Sequence, residues 1–275
     1  MIPAEKHPWV EAWFRRYTRA YLRRSFHRVL LSGELPPPPE QPRLVCMSHS
    51  SWWDLLLGFW LCRDVLGWDG YAPMDARQLR RYPMLRRIGV FGVERESLRG
   101  GREFVEYGRG LLAGSRRSLW ITAQGEMTST SRRPVRFYSG AGHLAEALAA
   151  SGDGVEIVTL ALEYELWDEK RPEAFVRFGP VRRVAPGSSG FRRELTRELE
   201  EDLTRELDHL FCERTERDPA RFTELLRGEG GISPVYDFLR RVSALARGGA
   251  GPGAHGEVPT PPRWGPASRR RREGP

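Results

Sequence analysis

The sequence is poor in cysteine and has no long apolar run, and each shortage excludes a class of protein. Three cysteines, Cys46, Cys62 and Cys212, stand in 275 residues without any CxxC spacing. An odd set so placed fits neither a disulfide framework nor a zinc site, and it suits a reducing cytoplasm. No apolar run approaches the ~20 residues that a membrane-crossing helix needs. The stretch after Met1 lacks the apolar core and small-residue cleavage site of a signal peptide, and Lys6 leads instead into an arginine-rich segment. No internal repeat is visible. The G-x-S-x-G elbow is missing too, so no serine nucleophile announces itself. Neither a metal nor a bound cofactor is implied, and the lone histidines His143 and His209 read as structural or solvated.

With 40% hydrophobic residues the chain has enough apolar material for one large domain or two small ones. The net charge of +8 is unevenly placed. Residues 1–32 carry seven Lys/Arg against two Asp/Glu, and residues 247–275 carry six Arg against two Glu. The body between them is therefore close to neutral. A nucleic-acid binder needs a basic face on its folded domain. Basic ends suit contact with an anionic membrane surface instead.

Residues 8 to 31 read as a helix, with Trp9, Val10, Trp13, Phe14, Tyr17, Ala20 and Tyr21 at spacings of three and four, and Arg15, Arg16, Arg19 and Arg23 between them. Such a helix either lies in a lipid interface or packs on a core. Pro36 to Pro39 then form a stiff, extended linker. Beyond it, short apolar strands ("RLVCMS", "GYAPM", "SLWITA", "VEIVTLALEY", "AFVRFGPV") alternate with helical stretches. This alternation indicates an α/β fold, a mixed and mostly parallel central sheet flanked by helices. From 190 onward Leu195, Leu199, Leu203, Leu207 and Leu210 form one stripe of a helix, and two more helices are expected near 218–227 and 233–246. The tail from 247, rich in Gly, Pro and Arg, is expected to be disordered. The expected organisation is a membrane-contact helix over 1–35, a linker over 36–41, an α/β domain with C-terminal helices over 42–246 and a basic tail over 247–275.

The stretch "CMSHSSWWDLLLGFW", residues 46–60, sets His49 and Asp54 five positions apart. Ser51 and Asp54 match a capping box, which would make the pair no more than a strand ending at a capped helix. The same geometry permits chemistry. Two residues five apart on one helix point about 140° apart and cannot meet. With His49 in the loop before the helix and Asp54 in its first turn, they can. Asp54 then fixes the tautomer of an imidazole whose other nitrogen takes a proton from a hydroxyl.

The surrounding blocks decide between these. "SHSSWWD" resembles the N-H-x-x-x-x-D block of the glycerolipid acyltransferase family (PlsC-like, 1-acylglycerol-3-phosphate acyltransferase type), with Ser48 in place of the leading Asn. "YAPMDARQLRRYPMLRRIGVFGVER" resembles the second block, with Pro83, Gly89 and Arg95 at familiar spacing. "LWITAQGEMTSTSRRPVRFYSGAGHLA" resembles the third, and "VEIVTLALEY" takes the place of the fourth. The resemblance runs from about residue 42 to 183.

It implies an acyltransferase that moves a fatty acyl group from an acyl thioester, on coenzyme A or acyl carrier protein, to a lipid hydroxyl such as that of lysophosphatidate. His49 is the implied general base, Asp54 its orienter, Arg95 the partner of an anionic group on the acceptor, and Gly125 a point of close backbone approach. Trp52, Trp53, Leu55 to Leu57 and Phe59 are expected to divide between core and acyl channel. The implied setting is the cytoplasmic side of a membrane, held peripherally, with no nucleic-acid partner. The third block departs from the family's F-P-E-G-T-R: it reads Thr122-Ala-Gln-Gly-Glu-Met127, with Gln124 in the acidic position and Glu126 two residues later. Gln124 and Glu126 are therefore expected at the acceptor. Asp75 stands where the family often has a lysine, and Thr159 where it has a proline. These departures leave open a neutral acceptor, such as a sugar hydroxyl on a glycolipid or glycosylated isoprenoid, and also a non-catalytic membrane-binding homologue.

Overall fold

A computed structural model describes residues 1–228; the helix expected near 233–246 and the tail from 247 lie outside the described residues. The helices are α1 (Pro8–Ser25), α2 (Trp53–Trp60, prolonged by a π-helical turn, Leu61–Val65), α3 (Ala76–Arg81), α4 (Leu98–Leu112), α5 (Gly140–Ala150) and α6 (Arg192–Thr215). The strands are β1 (Arg28–Ser32), β2 (Arg43–Met47), β3 (Gly70–Asp75), β4 (Val90–Val93), β5 (Ser118–Thr122), β6 (Val155–Glu165), β7 (Glu173–Phe178), β8 (Arg182–Val184) and β9 (Thr223–Arg227).

The strands form one sheet in the order β4-β3-β5-β2-β6-β7-β1-β9, with β8 paired to β6 off this path. From β4 to β6 every neighbour is parallel. The β6–β7 and β1–β9 pairs are antiparallel, while β7 and β1 run parallel. A parallel sheet covered on both faces reads as continuous apolar runs. The central strand shows why: along β2, Leu44 and Cys46 face one core, with α4 and α5, while Val45 and Met47 face the other, with α2 and Trp120. The loops that follow β2, β4 and β5 leave the sheet at the carboxyl ends of parallel strands, where α/β folds place their ligands.

Two expectations need correction. The helix expected over 8–31 stops at Ser25: Phe26 is extended, and Arg28–Ser32 is a strand between β7 and β9. Val29 and Leu31 belong to one core and Leu30 to another, an alternation that a one-faced helix cannot satisfy. A boundary at 35 therefore does not separate a helical arm from the domain, because the sheet begins with β1. The prolines that follow are strapped to the body, with Arg43 Nη1 donating to the Pro37 carbonyl at 2.5 Å. The second correction concerns 218–227. Pro219–Arg221 is a single 3-10 turn, and β9 follows it, burying Leu226 and covering the open edge of β1. The leucine stripe of α6 is buried as expected.

Candidate active site

His49 lies in the loop after β2, and Asp54 lies in the first turn of α2. His49 Nδ1 is 2.9 Å from Asp54 Oδ2. The same oxygen accepts from the backbone N–H groups of Ser50 and Ser51, each at 2.8 Å, while Oδ1 accepts from the Tyr164 hydroxyl at 2.6 Å. The carboxylate is fully buried. The expected capping box is only half formed: Asp54 reaches back to the Ser51 N–H, but Ser51 Oγ accepts from the Trp53 N–H at 3.3 Å rather than from Asp54, and Trp52 is the residue at the N-cap. One carboxylate both ties down the loop before the helix and holds the imidazole. A ring nitrogen facing a carboxylate carries the proton, so Nε2 is left as the acceptor.

The loop after β5 holds the histidine from the other side. Gln124 Oε1 accepts from the His49 N–H at 2.9 Å, and the His49 carbonyl accepts from the Thr128 N–H at 2.7 Å. Gln124 is buried and does not line the cavity. The sequence expectation puts it at the acceptor; its carbonyl oxygen holds the backbone of His49 instead. Gly125 has a φ of +76°, and a Cβ there would lie 2.4 Å from the Tyr138 ring and 3.0 Å from Arg95 Nη2. Only glycine fits both the conformation and the space. Glu126 is exposed and outside the cavity wall, which is the second departure from the expected acceptor set. Ser48, standing for the family's Asn, accepts from the Leu162 N–H at 2.9 Å and ties β2 to β6 beside the site.

His49, Arg95 and Gly125 line one open groove of about 2310 Å³. Arg95 follows β4 and makes no hydrogen bond or ion pair among the described residues. Arg77 is engaged with Asp75 and with Glu96 at 2.9 Å. Asp75 caps α3, accepting from the Arg77 N–H at 2.8 Å. Its partial burial raises its carboxyl, but the bonds from Arg77 and Gln78 outweigh this and hold it below the usual range. Tyr138, Ser139, Gly140 and Ala141, at the uncapped start of α5, form another part of the wall.

A narrow apolar pocket of about 60 Å³ adjoins the groove, and Phe14, Leu55, Leu56, Pro73, Leu85 and Thr122 line both. Its inner end is bounded by Met47, Gly58, Cys62, Gly70 and Trp120. Leu57 is core, Trp53 packs against Phe26, and Trp52 stands exposed at the groove. The sequence reading missed Tyr164. Its one signal was a polar aromatic closing the apolar run of β6.

A buried acid beside an imidazole whose second nitrogen makes no hydrogen bond among the described residues is an arrangement that can take a proton from a hydroxyl. Residues 28–163 match the family model described as Acyltransferase, and the chain belongs to that family. No curated protein matches the sequence. Among solved structures, the chain is similar to PlsC, the 1-acyl-sn-glycerophosphate (LPA) acyltransferase from Thermotoga maritima, at 18% identity and a TM-score of 0.46, over 74% of this chain and 78% of that one. Among the described residues, no helix is long and apolar enough to cross a membrane, and no cluster of side chains suits a metal ion.

Proposed function

We propose that this chain transfers a fatty acyl group from an acyl thioester, on coenzyme A or acyl carrier protein, to the hydroxyl of a lysophosphatidate-like glycerolipid. The observation that carries this reading is the His49–Asp54 pair at 2.9 Å, buried on the acid's side and open to the groove on the histidine's. His49 Nε2 takes the hydroxyl proton as the acceptor oxygen attacks the thioester carbonyl. The tetrahedral adduct collapses to the ester, and the departing thiolate recovers that proton from the imidazolium. Asp54 holds the ring and balances its transient charge. Arg95, which makes no hydrogen bond or ion pair among the described residues, meets the acceptor's phosphate. The acyl chain enters the apolar pocket past Leu55 and Leu56 toward Gly58.

The lipid arrives at the cytoplasmic face of a membrane. Trp9, Trp13, Tyr17 and Trp52 are exposed, and the last three border the groove. Arg16, Arg19, Arg23 and Arg24 are exposed on α1 beside the first three and make no ion pair among the described residues. That pairing of aromatic and cationic surface suits an anionic interface.

The test is acyl transfer by purified protein from a labelled acyl thioester to total polar lipid, read by mass spectrometry beside His49→Ala. A product that disappears in the variant supports the reading, and its mass names the acceptor. Turnover unchanged in His49→Ala sinks it.

A further inference from the structure

The donors around Asp54 are unevenly shared. Oδ2 receives Ser50 N–H, Ser51 N–H and His49 Nδ1, whereas Oδ1 receives only the Tyr164 hydroxyl among the described residues. The first three donors come from residues 49–51, all on the loop that Asp54 itself caps. Tyr164 comes from the far end of β6, 110 residues along the chain. Among the described residues it is therefore the one donor that ties the carboxylate to the sheet. Its ring is held by Phe26, stacked at a centroid distance of 5.7 Å, and Phe26 in turn packs edge-on to Trp53 at 4.9 Å. Tyr164 does not line the groove.

We propose that Tyr164 is a positioning residue for the acyl-transfer base: its hydroxyl fixes the rotation of the Asp54 carboxylate, so that Oδ2 stays on His49 Nδ1 and Nε2 stays aimed into the groove. This rests on the reading of His49 as the base. A buried carboxylate oxygen without its only donor turns to find another. Here the nearest donors belong to residues 49–51, so such a turn disturbs the contact with His49. Burial, and the charge and hydrogen bond of Asp54, push the Tyr164 phenol well above its ordinary range, so it stays a donor at every pH at which the enzyme works.

The test is Tyr164→Phe, which keeps the ring and removes the donor. The expected result is a kcat lower by about 10- to 100-fold with KM for both substrates within about twofold, because Tyr164 acts only through Asp54. 3-Fluorotyrosine at this position, which restores a hydroxyl on the same ring, returns most of the rate. A readout independent of turnover is the 15N spectrum of the His49 ring, with the signal assigned by its loss in His49→Ala. The wild type shows the Nδ1–H tautomer, and Tyr164→Phe shows a mixture of tautomers. An unchanged His49 spectrum, or a loss that falls on KM, overturns the proposal. The two readings fail separately: full activity in His49→Ala removes the base, whereas an inactive His49→Ala beside a normal Tyr164→Phe removes only the positioning role.

Discussion

At Gln124 the hydrogen bond explains a departure from the family's third block. What His49 needs there is an oxygen to accept its N–H, and a glutamine oxygen at 2.9 Å serves as a carboxylate would. Gln124→Glu is therefore expected to keep kcat within about threefold, while Gln124→Leu, which leaves the half-buried His49 N–H unpaired, lowers it by about 10-fold or more. Steady-state kinetics on the two variants check this, and equal losses would show that charge matters more than the bond. A pH effect belongs to the same scale. The Tyr164 phenol is raised in the folded protein above its unfolded value of about 10. Its contribution to stability is fully present below that pH and is lost as pH rises through the folded value. In urea unfolding, the gap between wild type and Tyr164→Phe is expected to be constant from about pH 6 to 9 and to shrink only above about 10.

The elements divide their work in ways that the sequence showed unevenly. The parallel strands were legible because burial on both faces leaves unbroken apolar runs, as in "RLVCM" and "VEIVTLAL". The end of α1 was not, because "RVLLS" continues an apolar spacing and only its neighbours β7 and β9 make it a strand. Nor did sequence show that the third block faces the histidine's backbone, since that contact spans 75 residues. The aromatic stripe of α1 resolves into two faces. Phe14 packs with Leu56, Leu79, Ile88 and Val90, and Trp9 and Trp13 face outward. Phe14→Ala is expected to cost about 3–5 kcal/mol in urea unfolding. Trp9→Ala with Trp13→Ala is expected to leave stability almost unchanged and to weaken binding to anionic vesicles, an affinity that added salt lowers further. Vesicle co-sedimentation separates the two faces. Gly58, on α2, is set close to the apolar pocket. A Cβ there would lie 3.2 Å from Met47 Cε and 3.6 Å from the Trp120 ring. Gly58→Ala narrows the pocket's inner end and is expected to shift the acyl product toward shorter chains, as read by mass spectrometry. An unchanged chain-length profile places the acyl chain elsewhere.

At the scale of the whole molecule, the question is whether the two faces of the sheet open separately. Cys46 lies in β2, with Ile121 of β5 on one side and Thr159 of β6 on the other. Cys62 lies in the π-helical turn, against the opposite face. Burial pushes both thiols up to about 12, although for Cys62 a hydrogen bond to Ser118 and the nearby Arg63 and Lys6 charges oppose the rise. Neither forms thiolate near neutral pH while the fold is closed. Cys212, exposed on α6, is free to react. Strand β2 joins both cores, and the fully buried Arg43 anchors it to Glu156 of β6 at 2.6 Å. An opening of β2 itself would break this pair and expose both cores at once. The native protein is therefore expected to show one fast thiol toward an aromatic disulfide reagent and three after denaturation. The two slow thiols are expected to react together, at a rate that follows global unfolding across a urea series. If Cys62 instead reacts ahead of Cys46, with a weaker urea dependence, the π-helical turn opens by itself. The apolar pocket that it borders would then be a moving part of the site.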